Sequence, residues 1–235
     1  MLSRLFSLFL LSPSIALAFT LTTSNMKGWN KDEVKFRFNP ANCGSDTGRV
    51  ESAIREGVDL WNSVPTSRLR VTYAGQTSAT GMTDEPIVSC VTSGMDGSVG
   101  VAGIITQGGV ILTSDIQMNK ESGASGDIAS ISDTRLAVAL AHEMGHVFGI
   151  GHSLASTSLM YFSLGSKQNL SLSQDDIDGI TYLYPRSEPG DGVMGCGSLE
   201  AGGGPGGLLF VLALAGLLGF ASRSRRPFRS RPALA

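Results

Sequence analysis

Two stretches alternate apolar and polar residues with the period of a half-buried strand. Val34, Phe36 and Phe38 alternate with Lys35 and Arg37, and Leu69, Val71 and Tyr73 alternate with Arg68, Arg70 and Thr72. Pro86–Val91, Gly100–Thr106 and Val110–Asn119 read as three further strands. The period changes between them. After Asp46 or Thr47, either of which can cap a helix, Val50, Ile54, Val58 and Trp61 recur at helical spacing. A second helix is expected from near Ser132 or Asp133 through Leu136, Val138 and Leu140 to His146 and Phe148, apolar on most sides and therefore buried. A third, capped by Ser173 with Gln174 and Asp175 in its first turn, turns Ile177, Ile180 and Leu183 inward and stops at Pro185. Five strands and three helices predict one α+β domain over 19–186.

The flanks follow different rules. Met1–Ala18 has Arg4, the uncharged run Leu5–Leu11 and a terminal Ala16-Leu17-Ala18, the order of a signal peptide cleaved before Phe19. Export permits disulfides. A Gly-rich linker is expected over 187–207, a hydrophobic segment over 208–222, within the uncharged run Gly206–Ser222, and a basic cytoplasmic tail over 223–235. That run barely suffices to span a bilayer, and its arginines (Arg223, Arg225, Arg226, Arg229, Arg231) would keep the domain on the outer side. The formal net charge of −2 averages unlike parts: Phe19–Glu200 is acidic, and Ala201–Ala235 carries arginines and no acid. Nothing in the domain forms a basic patch, which argues against a nucleic-acid partner.

All three histidines lie in one segment, His142-Glu143-Met144-Gly145-His146-Val147-Phe148-Gly149-Ile150-Gly151-His152. On a helix His142 and His146 share a face and can bind one metal, with Glu143 beside it. Zinc that does chemistry takes three protein ligands and keeps one position open for water, so His152 must be brought back by a turn. Gly149 is the residue that can end the helix and reverse the chain. Zinc so held makes water acidic near pH 7, and Glu143, close to the metal without ligating it, is placed as general base and then acid for peptide-bond hydrolysis.

His-Glu-x-x-His-x-x-Gly-x-x-His resembles the zinc signature of the metzincin metalloproteases, and Ser158-Leu159-Met160-Tyr161 resembles their methionine turn. Ser153 and the segment Leu172–Ile180 look like the matrixin branch, over roughly Phe19–Pro185. The resemblance implies a twisted mixed five-stranded sheet with an antiparallel edge strand, an active-site helix, and a C-terminal helix after the methionine turn. It also implies that Met160 supports the site without ligating, and that an extended protein or peptide substrate pairs with the edge strand Gly100–Thr106. Phe19, once terminal, would pair its ammonium with Asp175; an ordinary helix-start acid is the plainer reading of that aspartate. The implied sheet order makes the first and third strands neighbours, which favours a Cys43–Cys90 disulfide and leaves Cys196 over.

The chain also departs from that pattern. No histidine remains for a structural zinc, and no cysteine precedes Cys43 to silence the metal site. Asp84, Glu85, Asp96 and Asp115 are candidate calcium carboxylates with no ligand set assigned. Met160-Tyr161-Phe162-Ser163-Leu164 stands where the family often has Met-Tyr-Pro-x-Tyr. The tail resembles the tripartite sorting signals of Gram-negative bacteria, removed by a membrane protease near Cys196; a permanent single-pass anchor is the alternative. The expectation is an exported or surface-held monomeric zinc endopeptidase. The rival is a surface module that binds zinc and recognises peptides without cutting them.

Overall fold

A computed structural model of the chain describes residues 19–187 apart from Ser166 and Gln168. The expected leader over 1–18 and everything from 188 onward, including Cys196, lie outside the described residues. Among those residues, no helix is long and apolar enough to cross a membrane.

All five expected strands form, as β2 (Glu33–Asn39), β3 (Arg70–Gln76), β4 (Ile87–Val91), β5 (Gly100–Gln107) and β6 (Val110–Asn119). A sixth, β1, is only Gly28–Trp29, too short to leave a periodic mark in the sequence. β6 pairs in parallel with β4 along Asp115–Asn119 and with β1 at Val110 and Ile111, and antiparallel with β5. β4 continues in parallel to β2, and β2 to β3. The sheet is thus mixed, and β5 has an antiparallel partner on one side only. The apolar set of β2, Val34, Phe36 and Phe38, is fully buried, as its alternation requires.

Three helices follow: α1 (Thr47–Asn62), α2 (Asp133–Val147) and α3 (Gln174–Leu183). Ser132 caps α2 by accepting the Arg135 N–H. Ser173 and Asp176 cap α3 reciprocally, each side chain meeting the other's backbone N–H. Neither candidate cap of α1 acts through its side chain. Asp46 accepts instead from Arg49 at 2.6 Å, and Lys120 lies 3.3 Å away. Thr47 donates to the Gly44 carbonyl. Ion pairing, with Arg49 three residues on and with the distant Lys120, has won over capping there, because the carboxylate is buried and a buried charge needs a partner.

α1 and α2 pack against each other and against the sheet, with Trp61 donating its indole N–H to the Ala141 carbonyl at 2.9 Å. Phe148, just past α2, meets both Trp61 and Phe36 edge-on at centroid distances of 5.4 and 6.0 Å. The buried Tyr184 hydroxyl donates to the Phe148 carbonyl at 2.8 Å and accepts from the Trp29 N–H at 2.9 Å. Both ends of the domain therefore converge on the end of α2. Cys43 and Cys90 are buried and joined by a disulfide, as the neighbouring β2 and β4 permit.

Candidate metal centre

α2 runs through the core with Leu136–Gly145 all buried, so His142 and Glu143 are held by packing except where they face the cleft. The helix ends at Val147, and Gly149 takes φ +100°, a conformation that L side chains rarely adopt. Its N–H returns to the His146 carbonyl at 2.9 Å, the Ile150 N–H returns to Gly145 at 3.0 Å, and the chain reverses. A Cβ at Gly149 would also come within 2.7 Å of Met26. The reversal brings His152 back over the helix.

The three imidazoles then meet. Their ring centroids lie 4.8–5.3 Å apart, and one ring nitrogen from each lies within 4.8 Å of the others. His142 Nδ1 is 2.8 Å from the Leu159 carbonyl, and His146 Nδ1 is 2.8 Å from the Ile150 carbonyl. A carbonyl only accepts, so both Nδ1 atoms carry the proton and both Nε2 atoms present a bare lone pair. Burial, and secondarily the other histidines, lowers the His142 pKa to about 4, and burial lowers that of His146, which keeps both rings neutral as ligands must be. His146 Nε2 and His152 Nε2 are 3.2 Å apart. Tetrahedral ligation at about 2.0–2.1 Å places ligand nitrogens roughly 3.3 Å apart, so this pair is spaced as zinc requires, with the His142 nitrogen within 4.8 Å of both. Among the described residues no other three His, Cys, Asp or Glu side chains converge in this way. Of the calcium candidates, Glu85 pairs with Arg37, and Asp115 is buried and accepts from Gln117.

Glu143 lies in the same cleft, buried, with the Ala102 N–H directed at it. Desolvation raises its pKa to about 7, only partly opposed by that N–H. Gly100 of β5 makes the room: a Cβ there would sit 2.9 Å from Glu143 Cγ. The cleft holds about 530 Å³ between α2, the β5 edge and the Phe162–Gly165 segment.

Met160 is buried, and its sulfur packs on Gly145 so closely that a Cβ at Gly145 would collide with it. The turn that carries it is held by Asp176. That carboxylate accepts from the Ser158 hydroxyl, from the Leu159 N–H at 2.8 Å and the Met160 N–H at 3.0 Å, and from the Ser173 N–H and hydroxyl at 2.7 and 2.8 Å. Since the Leu159 carbonyl in turn orients His142, Asp176 steadies a candidate metal ligand from two bonds away. Sequence reading passed over it in favour of Asp175, although Ser173-x-x-Asp176 is a readable capping pattern. A second brace is less legible: the Gly151 N–H donates to Thr20 at 2.8 Å, Thr20 Oγ1 donates to the His152 carbonyl, and Leu21 bridges Ile150. Phe19 lies against Gly179 and Tyr182 of α3, its ring 5.4 Å from that of Tyr182. Asp175, one turn before Gly179, has a buried carboxylate oxygen without a hydrogen-bond partner among the described residues.

Residues 28–185 match the profile of the Matrixin family, Peptidase_M10. The chain is similar to matrix metalloproteinase-27 of Tupaia belangeri, 30% identical over 68% of this chain and 31% of that protein. It is similar to human neutrophil collagenase at 30% identity over 71% of this chain and 35% of that one. A shorter match, 42% identical over 26% of this chain and 17% of the relative, is to metalloendoproteinase 2-MMP of Arabidopsis thaliana. The aligned regions span about a third or less of the length of these relatives. Fold, histidine cluster and family match agree, and the chain belongs to the matrixin family.

Proposed function

We propose that the chain is a zinc-dependent endopeptidase that hydrolyses peptide bonds in proteins. The observation that carries this reading is the convergence of His142, His146 and His152 with a buried carboxylate, Glu143, in one open cleft. Zinc, when bound, supplies Lewis acidity, polarising a carbonyl and making water acidic near neutral pH. The chain's own groups do the rest. His142, His146 and His152 hold the metal. Glu143, with a pKa raised to about 7 by burial, takes the proton of the attacking water and passes it to the leaving amine. The unpaired edge of β5 offers backbone groups to an extended substrate, and the Phe162–Gly165 segment closes the other side. Gly149 returns His152 to the metal, and Met160 supports the site without ligating.

Casein cleavage by the purified protein tests this. Chelator is expected to abolish cleavage, zinc to restore it, and Glu143→Gln to lower it by about 10²–10⁴-fold while zinc stays bound. A Glu143→Gln protein that cleaves like wild type would remove Glu143 from this role. Zinc binding and peptide binding without any cleavage would favour the recognition module.

We further propose export, with the leader removed before Phe19 and the protein surface-held or released through processing of its tail. The ammonium so created would pair with Asp175, whose unpartnered oxygen belongs to the helix against which the Phe19 side chain packs. Mass spectrometry of both termini of the mature protein tests the processing. An added residue before Phe19 is expected to lower activity if the ion pair matters.

A further inference from the structure

We propose that Arg135 is a specificity-determining residue whose guanidinium takes an acidic side chain of the substrate, glutamate in preference to its neutral isostere. The proposal rests on the reading of the cleft as a peptide-binding site. Arg135, Ala139, His142, Glu143 and His146 line the cleft as a single stripe of α2. Arg135 stands seven residues before His142, about 10 Å along the axis at 1.5 Å per residue, and helical side chains lean toward the N-terminus. It therefore marks the end of the cleft remote from the metal. The facing walls, Val99–Ala102 and Phe162–Gly165, bring no charged side chain. Away from the metal, Arg135 is thus the one charged residue lining this cleft among the described residues.

Among the described arginines, Arg70 and Arg186, like Arg135, make no ion pair, but they are exposed, whereas Arg135 is half-buried. Arg37, Arg49, Arg55 and Arg68 each face a carboxylate: Glu85, Asp46 with Asp133, Glu51 and Asp32. Asp133, the acid nearest to Arg135 in sequence, is taken by Arg49. The Arg135 backbone N–H bonds Ser132, but among the described residues its side chain makes no hydrogen bond and no ion pair, although it is half-buried. A guanidinium that has lost part of its water and has no partner gains most from a carboxylate, which it can meet with two parallel hydrogen bonds. The apolar approach to it, with Phe162 exposed at the rim, suits a side chain with a methylene stem and a charged end.

The test is a peptide series in which each position on either side of the scissile bond carries Glu, Gln, Leu or Lys in turn. It is cleaved by the wild-type protein, Arg135→Met and Arg135→Glu. At one position the wild type is expected to prefer Glu over Gln by about 10–100-fold in kcat/KM, the range of a charge-assisted hydrogen bond. Arg135→Met is expected to bring that ratio to about 1, and Arg135→Glu to turn the preference to Lys. A ratio of two substrates on one preparation is independent of the fraction folded. A second readout needs no turnover: fluorescence anisotropy of labelled Glu and Gln peptides on Glu143→Gln, with and without Arg135→Met, is expected to show the same preference. Cleavage without a Glu preference at any position, or a preference that survives Arg135→Met, overturns the assignment and leaves the protease reading intact. Selective binding lost with Arg135→Met, but no cleavage by wild type, overturns the protease reading and leaves the assignment standing. Neither cleavage nor binding overturns both.

Discussion

Asp176→Asn keeps the shape of the side chain and exchanges one acceptor oxygen for a donor. If the amide nitrogen replaces Oδ2, it confronts the Leu159 and Ser173 N–H groups, neither of which can turn away. If it replaces Oδ1, it faces the Ser158 hydroxyl, which can rotate, and the Met160 N–H, which keeps its second acceptor, Ser158 Oγ, at 3.0 Å. The second placement is the milder one. Even there, the surviving bonds fall from charge-assisted strength, about 1.5–3 kcal/mol, to neutral strength, about 0.5–1.5. With three bonds surviving and one or two disturbed, roughly 3–5 kcal/mol is lost, and removing a buried charge returns part of it. The expected net destabilisation is about 2–4 kcal/mol. Urea unfolding followed by the fluorescence of the buried Trp29 and Trp61 measures it. The same substitution should loosen the Leu159 carbonyl from His142 and weaken zinc binding about 10–100-fold, read by competition with a chromophoric chelator. Unfolding within about 0.5 kcal/mol of wild type would refute the hydrogen-bond reasoning. A large loss of stability with unchanged zinc affinity would sever the proposed link from Asp176 to His142.

Replacing both Cys43 and Cys90 by Ser opens a loop with a sequence separation of 47, and chain entropy sets the expected loss at about 4 kcal/mol, measurable by thermal unfolding with and without reductant. Gly149→Ala is expected to destabilise by more than 1 kcal/mol, through a positive φ and a contact with Met26, and to lower zinc affinity by displacing His152; wild-type affinity would refute the turn's role. Burial pulls the Asp46 carboxyl upward, but hydrogen bonds and charge from Arg49 and Lys120 outweigh it and hold its pKa below the ordinary value. Its stabilisation is therefore present above the unfolded-state value, about 3.9, and disappears as pH falls through the lower folded-state value. Asp46→Asn should be less stable than wild type at pH 7, and the two stability curves should approach each other below about pH 4.

The parts of this fold that were legible in the sequence are those written in local periods. Val34, Phe36 and Phe38 marked a strand because alternate side chains share a face, and the Ser132 and Ser173 caps announced helices within four residues. The histidine cluster was legible for the same reason: helix pitch and one glycine turn bring His142, His146 and His152 together within 11 residues of chain. What escaped depends on partners far along the chain. Asp46 looked like a cap because Lys120 cannot be seen beside it. Asp176 is readable as a cap from its spacing to Ser173, but its hold on the methionine turn, 16 to 18 residues earlier, is not. Thr20 and Leu21 gave no sign that they brace the loop of His152, 132 residues later. Arg135 is marked only by its cleft, whose end away from the metal ligands carries no carboxylate to pair with it.

Tyr184 bears on how the protein comes into being. Its hydroxyl closes a contact with Trp29 across 155 residues, and Asp176 braces the methionine turn that precedes α3. A ribosome delivers these residues after all three histidines. A nascent chain that ends before α3 carries His142, His146, His152 and Glu143, yet lacks Asp176, which braces the methionine turn, and Tyr184, which ties the end of α2 to Trp29. Assembly of the site therefore waits on the last helix of the domain, because the brace of the methionine turn is complete only once α3 has been synthesised.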